Sequence, residues 1–160
     1  MTPVLVREYK SEDREAVERC FFELQEDEYN REPHYWGKPQ DVAHPYVDYV
    51  LKTIDKSDGK IFVIEEEGLV AGLVVVLISE KEDSPAVSLE QFGYVMDLVV
   101  LRKYQGKGLG SALMSRAEEY IKDKGLKWMQ LDVSKGNPAL DFYLRAGYKE
   151  KSTRLEKKLF

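Results

Sequence analysis

Three glycines at alternate positions, Gly106, Gly108 and Gly110, stand where an apolar run gives way to a helical pattern. Glycine removes the side chain that would hold a ligand away from the backbone. Free N–H groups and the dipole at a helix N-terminus attract an anion. The segment DLVVLRKYQGKGLGS, residues 97–111, therefore reads as a strand, a tight turn and a helix start that would cradle a phosphate or pyrophosphate. A turn built only for tight packing is the competing reading. The P-loop order G-x-x-x-x-G-K-[ST] is absent. The dinucleotide fingerprint G-x-G-x-x-G fails as well, because position 111 is Ser.

Acid–base chemistry has one conspicuous candidate. Asp97 is a carboxylate inside the apolar run YVMDLVV, and burying a charge there is costly without a partner. It suits a base or a substrate anchor; an Asp bonded to neighbouring backbone or to a lysine is the alternative. Asp132 is a similar but weaker case. Cys20 falls on the apolar face of a helix and reads as a small buried residue rather than a thiol nucleophile. A single cysteine and two histidines, His34 and His44, do not make a Cys- or His-based metal site, so no metal is expected.

The elements that would position these groups follow from periodicity and punctuation. Residues 4–8 form a short strand. Ser11 then caps a helix with Ala16, Val17, Cys20, Phe21 and Leu24 on its buried face. Residues 26–44 are aromatic, acidic and irregular. Their Tyr35 and Trp36 suit a cleft wall or a packed loop, and Glu26-Asp27-Glu28 suits a solvated helix end or a steering patch for a cation. Pro45 opens a second helix. Residues 61–65 and 69–79 form a hairpin around Glu66-Glu67-Gly68, and residues 79–91 a loop. A doubly covered strand spans residues 94–101, and a helix over 108–124 ends at Gly125. A strand at 128–133, a short helix at 138–146 capped by Asn137, and one or two tail strands over 148–160 complete the order. Hairpins combined with one β-α-β crossover predict an α/β (α+β) fold with a mixed, mostly antiparallel sheet and flanking helices.

The 160 residues fit a single domain, 1–160. Twenty-four Lys and Arg against 29 Asp and Glu leave a net charge of −5, which argues against nucleic acid and anionic membrane as partners. Residues 1–10 lack an apolar signal core, and the longest apolar run, residues 69–78, is too short for a bilayer. A soluble, cytoplasmic protein is the expectation.

Gln105-Gly106-Lys107-Gly108-Leu109-Gly110 resembles the Q/R-x-x-G-x-G/A signature of the GNAT acetyltransferase superfamily. Asn137 to Tyr148, NPALDFYLRAGY, is similar to that family's N-x-x-A-x-x-x-Y-x-x-x-G-F/Y element. The element order matches too, so the resemblance covers essentially the whole chain. It implies a GNAT-like fold and acetyl-CoA as cofactor. Backbone groups of Leu98, Val99 and Val100 would pair with the pantetheine arm like an added strand. The amides of Gly106, Lys107, Gly108, Leu109, Gly110 and Ser111 would hold the pyrophosphate, with Gln105 as a cofactor-binding residue at the motif's first position and Arg102, Lys103 and Lys107 as nearby cations. Asn137 would bond the pantetheine portion, cap its helix, or do both. Tyr143 stands where the family often has the general acid for the departing thiolate; a packed core tyrosine is the alternative. A backbone N–H at Val99 or Val100 would stabilise the oxyanion. The reaction implied is direct attack by a primary amine of a small molecule or peptide on the thioester. A CoA-ester-binding sensor without turnover is the second reading, and a homodimer through the tail strands is left open.

Overall fold

Runs of Val and Ile build the sheet, because β-branched side chains pack well on a pleated surface. The computed structural model describes residues 4–89 and 91–160 and contains, among them, five strands in one sheet of order β1-β2-β3-β4-β5. These are β1 (Leu5–Glu8), β2 (Lys60–Glu66), β3 (Leu69–Ile78), β4 (Gly93–Val100) and β5 (Met129–Leu131). Neighbours run antiparallel except β4 and β5, which run parallel across a helical crossover. The sheet is therefore mixed and mostly antiparallel, as expected. Residues 1–3 and 90 lie outside the described residues; they belong to the expected N-terminal stretch and to the expected 79–91 loop.

Helices α1 (Arg14–Arg31) and α2 (Pro39–Lys56) cover one face, and α3 (Leu109–Asp123) covers the other; α4 (Ala139–Arg145) follows β5. On the first face Val17, Phe21, Val47 and Val50 pack against Leu73 and Val75. On the second, Leu113, Ala117 and Ile121 pack against Phe62 and Val74. Leu109, Leu113, Ala117 and Ile121 form the buried stripe of α3, and Gly125 leaves the helix at φ 76°, a left-handed turn that suits glycine. The β2–β3 turn is Glu67-Gly68, with φ 55° and 76°, the two positive values of a two-residue hairpin turn.

Four expectations are corrected. The segment 26–44 is mostly helical: α1 continues to Arg31 and α2 begins at Pro39. Pro39 takes the N-terminal position, and Pro45 lies inside α2 on its exposed side. Buried Ala43, in step with Val47 and Val50, is the signal that extends the stripe backwards. Ser11 does not cap α1. It opens a short 3-10 turn, Ser11–Asp13, and the Asp13 carboxylate accepts the Lys10 N–H at 2.8 Å instead. The tail, residues 149–160, forms no strand and is exposed throughout. Five of its twelve residues are Lys or Arg, and its apolar residues, Leu155, Leu159 and Phe160, lack the alternation that would bury one face.

Two irregularities in β4 prepare the site. Val75 pairs with Asp97 while Val76 pairs with Val95, so Met96 is an extra, bulged residue. Pairing between β4 and β5 stops at Val95 opposite Leu131, so the strands part over residues 96–100.

Candidate active site

The bulge decides where Asp97 points. Val95, Leu98 and Val100 pack on the α3 face, whereas Met96 and Val99 pack on the α1/α2 face. Strict alternation would place Asp97 with Val95. One extra residue reverses the alternation, and the Asp97 carboxylate turns to α2, where the Tyr46 hydroxyl donates to Oδ2 at 2.9 Å. Burial pushes the Asp97 carboxyl up to about 7; the Tyr46 bond works against this rise and the Glu28 charge adds to it. Burial first, and the charge of this carboxylate second, push the Tyr143 phenol up to about 12. Tyr143 sits on α4, wedged edge-on between Phe142 at 5.2 Å and Tyr148 at 6.0 Å.

The parting of β4 and β5 opens a cleft of about 2850 Å³ that reaches Asp97, Tyr143, Asn137 and the glycine turn. Leu101 N–H bonds back to Ala71 on β3 at 2.9 Å, so alternation turns the backbone groups of Leu98 and Val100 into the cleft. Val99, opposite Leu73, turns its own to β3. The Gln105 side chain donates to the Val100 carbonyl at 2.9 Å, closing one end of this edge.

At the cleft's other end Gly106 and Gly108 both adopt φ 79°, and a Cβ at either would meet no atom within 4 Å. Gly108 is the N-cap of α3. Among the described residues, the amide N–H groups of Gly106, Lys107, Gly108, Leu109, Gly110 and Ser111 have no hydrogen-bond acceptor. Open space, bare donors and a helix N-terminus fit the pyrophosphate of a CoA ester. Asn137 Oδ1 accepts the N–H of Ala139, the first residue of α4, at 2.9 Å across the Pro138 N-cap, and its amide nitrogen donates to no group among the described residues.

The cations expected near the phosphates are placed differently from one another. Arg102 faces α1, at 2.8 Å from Glu26 and 2.8 Å from Asp27. Lys107 reaches Glu66 at 3.3 Å, and Lys103 lies 5.0 Å over the Tyr104 ring. Glu26 and Asp27 are thus ion-paired rather than merely solvated. Glu28, held by Arg31 at 2.9 Å, is largely buried in the cleft wall. Trp36 and Tyr35 line the same wall in edge-on contact at 4.8 Å. Cys20 is fully buried, and burial pushes its thiol up to about 12, the state of an inert core thiol.

The profile of the acetyltransferase (GNAT) family matches residues 5–148. The chain belongs to the GNAT acetyltransferase family. An uncharacterised N-acetyltransferase of Methanocaldococcus jannaschii is 27% identical over 132 residues, 82% of this chain; the chain spans only 56% of that relative's length. The aminoalkylphosphonate N-acetyltransferase of Salmonella typhimurium is 28% identical over 155 residues, covering 96% of this chain and 90% of its own. In fold, the chain is similar to AAC(6')-Iy solved with the bisubstrate analogue CoA-S-monomethyl-acetylneamine, at a TM-score of 0.70 and 16% identity over 98% of each chain. By family the chain is an acyltransferase of the N-acetyltransferase kind. No helix among its described residues is long and apolar enough to cross a membrane.

For this GNAT domain, two site residues escaped the sequence reading. Tyr46 was legible only as an apolar position of α2, and Glu28 only as one acid in a run. Their spacing from Asp97 carries no local pattern, so only the packing of α1 and α2 on β4 reveals them.

Proposed function

We propose that the chain is an acetyl-CoA-dependent N-acetyltransferase acting on a primary amine of a small molecule or peptide by direct attack. One arrangement carries this reading: a carboxylate near neutral acidity and a protonated phenol, Asp97 and Tyr143, face one cleft beside six bare amides. Gly106 to Ser111 would hold the pyrophosphate, and Leu98, Val100 and Asn137 the pantetheine arm. Acetyl-CoA supplies the activated acetyl group and a thiolate leaving group.

Asp97 meets the acceptor as an ammonium ion and takes its proton. A base titrating near 7 is poised for this at neutral pH. No lysine or arginine among the described residues acts on Asp97, so the incoming cation is its counter-ion. Proton uptake also removes the negative charge that helps Tyr143 retain its proton. Tyr143 then becomes the stronger acid at the step where the sulfur departs. The Val100 N–H, directed into the cleft, donates to the carbonyl oxygen.

Thiol release from acetyl-CoA across an amine panel tests the reading. The panel includes an aminoalkylphosphonate, a diamine, free amino acids and a peptide with a free N-terminus. Release with at least one amine is expected. Silence across the panel, with acetyl-CoA still raising the melting temperature, would overturn turnover and leave a binding module.

A further inference from the structure

We propose that Tyr46 is the positioning residue of the acceptor site: its hydroxyl holds Oδ2 of Asp97, so that Oδ1 is the oxygen offered to the amine. The proposal rests on the reading of Asp97 as the base. The Tyr46 ring is itself fixed. Phe21 meets it edge-on at 4.9 Å and 84°, and Tyr49 stacks on it at 5.7 Å and 25°. The bond links α2 to β4 across 51 positions of sequence, and the Met96 bulge is what makes it reachable.

Among the described residues, Tyr46 is the one side chain that hydrogen-bonds the Asp97 carboxylate. The other titratable groups around it are Glu28 from α1, Tyr94 from β4 and Tyr143 from α4, with Asp132 beyond Tyr94. None of these supplies positive charge. The carboxylate therefore has a single stabilising contact, set against burial and the Glu28 charge. Two free oxygens would let Asp97 rotate about χ2. One tethered oxygen leaves a single presented lone-pair edge, which a near-attack geometry needs.

The experiment is Tyr46→Phe, which keeps the ring and its packing and removes only the hydroxyl. The acid limb of the kcat/KM profile should move to higher pH by about one unit, and kcat should fall roughly tenfold. The Asp97 carboxyl titration, followed by carbon-13 NMR of labelled aspartate, should move in the same direction. Adding Tyr46→Phe to Asp97→Asn should produce no further loss. Should the Phe variant fold poorly, a difluorotyrosine at position 46 gives the opposite sign. Its stronger donor should move the Asp97 titration to lower pH. An Asp97 titration unmoved by either change overturns the proposal, as does a Phe effect undiminished in the Asp97→Asn background. The NMR readout needs no turnover. A fully active Asp97→Asn enzyme would thus sink the base assignment separately from the Tyr46 contact.

Discussion

The Tyr94 hydroxyl donates to Oδ2 of Asp132 at 2.6 Å, one residue beyond the last β4–β5 backbone pair, Val95 opposite Leu131. A side-chain bond thus ties the two strands where the ladder ends. Burial and this bond push the Tyr94 phenol upward, so it stays a donor at neutral pH. Asp132, exposed and engaged in this way, braces the mouth of the cleft. Below the strut the strands part, and the backbone N–H groups of Leu98 and Val100 turn into the cleft.

On the proposed mechanism, Tyr143→Phe removes the proton donated to the departing sulfur. Turnover at saturating amine should fall about a hundredfold, with acetyl-CoA affinity nearly unchanged. Steady-state kinetics and calorimetric titration of CoA separate the two effects. Unchanged kcat would refute the acid assignment.

Gly108→Ala separates folding from cofactor binding. The φ of 79° strains an L residue by about 1 kcal/mol, yet its Cβ would meet no protein atom within 4 Å. The apo melting temperature should therefore drop slightly. The same Cβ would project into the open space beside the bare amides, so CoA affinity should weaken by about tenfold or more. Melting curves with and without CoA check both halves.

Asp97 also makes stability depend on pH. Its folded carboxyl titrates near 7, against an ordinary 3.8. Between these values the folded state binds more protons than the unfolded state, so stability falls as pH rises. The loss is complete above pH 7 and amounts to at most about 4 kcal/mol. Asp97→Asn should flatten the fall in melting temperature between pH 5 and pH 8. A variant with the wild-type slope would show that Asp97 titrates normally.

Arg7 ties β1 to β2 and to the start of α1. It bonds Asp13 at 2.7 and 2.9 Å and Glu65 at 2.6 Å. The guanidinium holds the Asp13 carboxyl below its ordinary range. This contribution is present above about pH 4 and is lost as pH falls through the depressed value. Arg7→Met should destabilise the protein by about 2 kcal/mol at neutral pH and by less in acid. Urea unfolding at pH 7 and pH 3 measures the difference.

Much of this fold is written in local pattern. The α3 stripe, the Glu67-Gly68 turn and the Gly106–Gly110 segment depend on neighbours a few residues apart, so periodicity and glycine placement suffice. The same holds for the Asn137 bond to the first amide of α4, though Pro138 is its N-cap. The 26–44 segment misled because its charges and aromatics masked two helix ends whose apolar stripes are short. The tail forms no strand because its apolar residues, Leu155, Leu159 and Phe160, do not alternate to give one buried face.

The sequence by itself determined a mixed sheet with one crossover, a glycine-rich turn at a helix start, and an acid in an apolar strand. It also determined a tyrosine six residues past an asparagine at a helix start. Tertiary structure alone decided which way Asp97 faces, since an inserted Met96 flips a strand's alternation and no residue type announces a bulge. It alone brought Tyr46 to Asp97 and Glu28 into the same cleft, because those contacts join elements far apart in sequence. The acidity of Asp97 is therefore a property of packing: the same carboxyl in a solvated strand would titrate about three units lower.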